Sequence, residues 1–185
     1  MNTKLKVYVA GPYSRKTELK QHAERLRAEG HVITASWLYR PEVDDGGFGD
    51  EQKTLAAAED FVDIKRADAV LNFTEPPGTV NRRGGRHVEL GLALAWGKAV
   101  VCVGECEHVF HYLSQIVWCG NVEAAASVLG ILACAKRGRV TARGEHPAVS
   151  AVNALHLHLE QIAVGMTNRV CDAVRAARDD LSKQL

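Results

Sequence analysis

The sequence predicts an α/β fold: a parallel sheet with helices on both faces, followed by a long C-terminal helix. Three observations carry this. Short apolar runs rich in β-branched residues alternate with segments of helical periodicity. Loops bearing Gly and Pro follow the first and third of these runs. The composition, 46% apolar and 24% charged over 185 residues, suits a chain with a packed core rather than a disordered one.

Lys6 to Ala10 reads as a buried strand that ends at the Gly11-Pro12 turn. Thr17 to Glu29 places Leu19, Ala23 and Leu26 at helical spacing and stops at Gly30. Val32 to Trp37 is the second strand. The polar stretch Leu38 to Lys53, with Pro41 and Asp44-Asp45-Gly46-Gly47, is a long loop of the kind that serves as a lid. Thr54 to Arg66 is helical, with Leu55, Ala58, Phe61, Val62 and Ile64 as inner positions. Ala69 to Phe73 is the third strand, and Thr74 to Gly85 a second Gly/Pro loop. Arg86 to Trp96 is a helix and Lys98 to Val103 the fourth strand. Gln115 to Trp118 is a weaker fifth, before a helix over Val122 to Ala135.

The α/β domain therefore covers 1–135. Residues 136–146 read as a basic linker, and 147–185 as one helix with a narrow apolar stripe through Val152, Leu155, Leu159, Ile162, Met166 and Val170. That stripe suits assembly into a homo-oligomer, dimer or higher, and equally a helix packed on its own domain. Charge shifts at the same boundary: 15 basic against 17 acidic side chains before residue 136, and 8 against 5 after it. The net charge of +1 gives no reason to expect nucleic acid or an anionic membrane as partner. No stretch is long and apolar enough to span a bilayer, and the N-terminus does not read as a signal peptide. Five cysteines, mostly in apolar runs, fit reduced thiols in a cytoplasmic protein.

In a parallel sheet, ligands bind outside the carboxyl ends of the strands. Those ends are Gly11–Arg15, Trp37–Lys53, Thr74–Glu89 and Gly104–His108. Glu89 falls in the first turns of a helix after a Gly-rich loop, where the helix dipole favours an ionised, nucleophilic carboxylate. A solvated, dipole-complementing Glu fits the same spacing. Asp60 and Asp63 lie about one helical turn apart, while Asp68 at a strand entry suits a turn or capping role. Gly11-Pro12-Tyr13-Ser14-Arg15-Lys16 can bind an anion through a helix start, and Arg82, Arg83 and Arg86 around Gly84-Gly85 supply a second cationic rim. Together they favour an anionic ligand such as a phosphate; solubility alone is the plain alternative. Cys102, Cys106, His108 and His111 match no common zinc spacing, so no metal and no cofactor is assigned.

Three of these motifs, in order and in register, resemble the nucleoside 2-deoxyribosyltransferase superfamily, which includes the 5′-monophosphate N-glycosidases. They are Tyr8-Val-Ala-Gly11, Asp60-x3-Ile64-x3-Asp68, and His87-Val-Glu89-Leu-Gly91 with Gly97-Lys98. The resemblance covers roughly residues 5 to 130. It implies a Rossmann-like, flavodoxin-like five-stranded sheet, with Glu89 as nucleophile, Asp60 as the acid and Tyr8 orienting Glu89. It also implies a nucleoside or nucleotide as the small-molecule partner, held by Gly11, Pro12, Tyr13, Ser14, Arg15, Trp37, Arg83, Gly85, Arg86 and His87. Many transferases of the superfamily carry an Asp where this chain has Arg83, and their borrowed C-terminal Asn has only Asn121 as a counterpart by location. Two other functions fit the same residues: a non-catalytic nucleotide-binding module, and a glycohydrolase acting on a dinucleotide such as NAD.

Overall fold

The computed structural model describes residues 4–41, 49–76, 79 and 84–141. The chain divides into two compact units, Met1–Arg137 and Gly138–Leu185. The expected C-terminal helix over 147–185 lies outside the described residues.

The first unit is built on a five-stranded parallel sheet: β1 (Lys6–Ala10), β2 (Val32–Ile33), β3 (Ala69–Phe73), β4 (Ala99–Val103) and β5 (Ile116–Cys119). Their order is β2-β1-β3-β4-β5, the flavodoxin-like arrangement of an α/β Rossmann-like fold. Register is continuous across the centre, with Tyr8 beside Val70 and Val70 beside Val100. Every residue of β3 is buried, as a strand covered on both faces must be.

The helices are α1 (Lys16–Ala28), α2 (Asp50–Arg66), α3 (Gly85–Ala95) and α4 (Val122–Thr141). The first crossover, through α1, runs outward from β1 to β2. The next two, through α2 and α3, run the opposite way. Because parallel crossovers are right-handed, this reversal puts α1 on one face and α2 with α3 on the other. In agreement, α2 packs against α3. Leu19, Ala23 and Leu26 are the buried stripe of α1, and Gly30, at φ 96°, ends the helix in the left-handed region that glycine adopts freely. Ala125, Leu129 and Ala133 seat α4 in the core. Among the described residues, no helix is long and apolar enough to cross a membrane.

Three expectations need correction. The second strand ends at Ile33, and Ser36–Tyr39 forms a 3-10 helix instead. The Asp63 carboxylate accepts the Ser36 N–H at 2.9 Å, and the Trp37 indole N–H donates to the Val9 carbonyl at 2.8 Å, which pulls the chain off the strand ladder. Helix α2 begins at Asp50, where Gly49 N–H donates to the Gln52 side chain. Its buried positions are Asp63 and Ile64, while Leu55, Phe61 and Val62 are exposed. Finally, α4 continues past Ala135 to Thr141.

Candidate active site

Between β1 and β3 the chain connections leave in opposite directions, which opens a crevice at the carboxyl ends of these strands. Gly11 closes the end of β1. A Cβ there would meet Leu19 Cδ1 at 2.6 Å and Phe73 Cβ at 3.2 Å, so any side chain at this position would have to displace its neighbours on α1 and β3. Tyr8, in β1, is fully buried. Its hydroxyl donates to Glu89 Oε1 at 2.7 Å, bridging the sheet to α3. Asp60, on α2, is drawn to the same place by Arg40, whose Nη2 donates to Asp60 Oδ1 at 2.8 Å. The sequence reading missed Arg40. It also contacts Glu59 and the Ala56 carbonyl, so it fixes one turn of α2.

Burial dominates the electrostatics here. It raises Glu89 to about 7, against the Tyr8 hydrogen bond and with the help of the Asp60 charge. Glu89 is the fifth residue of α3, beyond the first turn where the helix dipole acts, so burial rather than the dipole dominates its ionisation. Burial likewise raises Asp60, while Arg40 pulls it back. Tyr8 is pushed well above its ordinary value by burial and by both carboxylates, so it stays a hydrogen-bond donor.

Tyr8, Asp60 and Glu89 thus meet at one crevice. The other expected residues divide. Tyr13 is exposed, its ring centroid 6.3 Å from that of Trp37, and Ser14 is exposed beside it. Pro12 accepts the Arg15 N–H in the 3-10 turn that leads into α1. Arg15 is held by both Glu18 oxygens and the Thr74 carbonyl. Trp37 is buried, a wall of the core rather than an open stacking face. Tyr39 turns to α1, donating to Glu24 under the Arg27 guanidinium. Gly85 is the first residue of α3. Arg83 lies outside the described residues.

Arg86 departs most from expectation. It is buried and pairs with Glu107 at 2.5 Å and with Glu75 at 3.6 Å, so it is not part of an open cationic rim. Burial alone would raise Glu107, yet Arg86 holds it below the usual carboxylate range. His87 packs against the rings of His108 and His111. Its Nδ1 lies 3.0 Å from His108 Nε2. Asp68 accepts the Lys6 N–H and pairs with Lys136 at the opposite edge of the sheet. Asn121 caps α4 by accepting the Ala124 N–H.

No family model matches the chain, and no curated protein matches it. Among solved structures it is similar to the CMP N-glycosidase BcmB of Clostridium botulinum, at 21% identity and TM-score 0.43, over 67% of this chain and 97% of that one. That likeness carries no inference about what this chain does.

Proposed function

We propose that the chain cleaves the N-glycosidic bond of a 2′-deoxynucleoside or its 5′-monophosphate, with water or a second base as acceptor. The observation that carries this reading is the Tyr8 hydroxyl held 2.7 Å from Glu89 Oε1 in the switch-point crevice that Asp60 also faces. The motifs that resemble the nucleoside 2-deoxyribosyltransferase superfamily supply the roles.

In this reading Glu89, as carboxylate, attacks C1′ of the sugar. The C1′–O bond forms as the C1′–N bond breaks, and the base leaves with the electron pair. Asp60, as the acid, gives its proton to the departing nitrogen. It then takes a proton from the acceptor as the acceptor displaces Glu89 from C1′. Tyr8 donates throughout to the Glu89 oxygen that is not attacking, and so aims the other.

Because Arg86 is spent on Glu107 and Glu75, a 5′-phosphate would be met at Ser14 and the start of α1. The homo-oligomer belongs to the same proposal. Leu55, Phe61 and Val62 of α2 and Val88 of α3 are exposed apolar side chains of the kind that a second copy covers. Sedimentation of a monomer at micromolar concentration would end that part.

The test is chromatographic. The protein is incubated with each deoxynucleoside and each 5′-monophosphate, with and without a competing base. Free base from a monophosphate marks a nucleotide hydrolase, and exchange that needs the added base marks a transferase. Glu89→Ala abolishes both while remaining folded. Full activity in that variant ends the proposal, and saturable nucleotide binding without turnover favours the binding module.

A further inference from the structure

His87, His108 and His111 come from two separate elements. His87 is on the first turn of α3. His108 precedes the 3-10 turn Val109–Tyr112 between β4 and β5, and His111 lies within it. The fold brings them together, with one ring nitrogen from each within 4.8 Å of the others. Ring centroids lie 3.8 Å apart for His108 and His111, and 4.6 Å for His87 and His108.

A histidine buried in a core normally satisfies both nitrogens. Here His111 is fully buried, and its Nε2 has no hydrogen-bond partner among the described residues. The Nδ1 of His108 is buried and likewise without a partner among those residues. Two orphaned imidazole nitrogens in one three-ring cluster describe a ligand set better than a packed core.

We propose that His87, His108 and His111 bind a zinc-class divalent metal ion. Imidazole suits Zn²⁺, Co²⁺, Ni²⁺ and Cu²⁺ and not the oxygen-seeking Mg²⁺ or Ca²⁺. Three nitrogens leave the fourth position of a tetrahedron for a solvent oxygen.

The surroundings supply outer support. The Trp118 indole N–H holds the His111 carbonyl at 3.0 Å, and Arg86 anchors the neighbouring Glu107. The Glu107 N–H now donates to His111 Nδ1 at 3.1 Å, which leaves the neutral ring's proton on Nε2. To bind an ion through Nε2 as a neutral imidazole, His111 takes its other tautomer: Nε2 releases its proton to solvent, Nδ1 takes one up, and the Glu107 contact is given up for the metal–nitrogen bond. The ion then clamps the β4–β5 connection to the start of α3. The site would do this whether or not the chain releases bases.

The test reads binding, not turnover. The full chain, stripped with a chelator and kept reduced, is titrated with ZnCl₂ by calorimetry and with CoCl₂ by visible absorption. The expected result is a single ion per chain, tetrahedral cobalt bands without a thiolate charge-transfer band, and a Tm that rises with zinc. His87→Gln and His108→Gln, at partly exposed positions, weaken zinc binding by about a hundredfold or more, at least what loss of a supporting partner costs. They also lose the rise in Tm. His111→Gln is buried and its failure to fold would decide nothing, so the two other variants carry the test. Wild-type protein that binds no zinc overturns the proposal. So does zinc affinity unchanged in both variants, or a cobalt spectrum dominated by thiolate.

Discussion

Tyr8 and Glu89 share one hydrogen bond, and in this reading the working state of the site depends on it. The phenol donates to Glu89 and so lowers a pKa that burial has raised to about 7. Removing the hydroxyl must raise it further. Tyr8→Phe is therefore expected to slow base release at pH 7 by about ten- to a hundredfold, the equivalent of the 1.5–3 kcal/mol typical of a hydrogen bond to a charged group. It is also expected to move the ascending limb of the pH–rate profile to higher pH. Arg40 acts with the same sign through charge, because it lowers both Asp60 and Glu89. Arg40→Met should shift that limb upward too, and the shift is read from kcat/KM against pH. The apparent values in such a profile belong to the pair of carboxylates and not to either alone.

At the scale of the element, α2 matters most, because it delivers Asp60. Its anchor is Asp63, whose carboxylate holds the Ser36 N–H of the 3-10 helix at 2.9 Å. Asp63→Ala leaves that N–H unpaired and is expected to cost about 1–3 kcal/mol in a urea unfolding experiment. Asp63→Asn keeps an acceptor oxygen and should recover most of it. Of the two neighbouring acids, sequence spacing alone did not choose between Asp60 and Asp63. The structure gives the second to the backbone and leaves the first in the crevice. The strands were legible because β1, β3 and β4 are apolar runs bounded by turn residues. Trp37 misled, since its burial comes from an indole bond to Val9 and not from a place in the ladder. The apolar spacing of α2 misled as well: Leu55, Phe61 and Val62 imply an inner face that the helix turns outward. Pairings between distant loops leave no local signal. Arg86 with Glu107, and His87 with His108, are each 21 residues apart.

For the whole molecule, the buried carboxylate sets stability against the chemistry. Glu89 titrates from 4.5 when unfolded to about 7 when folded. Between these values the folded state holds a proton that the unfolded state has released, so stability falls as pH rises through the window. The penalty is complete above pH 7 and amounts to at most about 3 kcal/mol. His111 works in the opposite direction. Burial lowers it from 6.5 to about 4, so the unfolded chain holds the extra proton there and stability rises with pH. The two windows overlap, so these two opposing contributions offset each other between about pH 4.5 and 6.5. Glu89→Gln separates them. The amide keeps an oxygen for the Tyr8 hydroxyl and carries no charge. In chelator-treated protein, the variant's advantage over wild type should be near zero at pH 4.5 and grow to about 3 kcal/mol by pH 8. Urea midpoints at a series of pH values measure this directly. The same variant should release no base, because an amide cannot attack C1′. An advantage that does not grow with pH would mean that Glu89 ionises as an ordinary surface acid. A dead variant that is more stable only where the wild type is ionised would show that the fold tolerates this carboxylate for its chemistry and against its own stability.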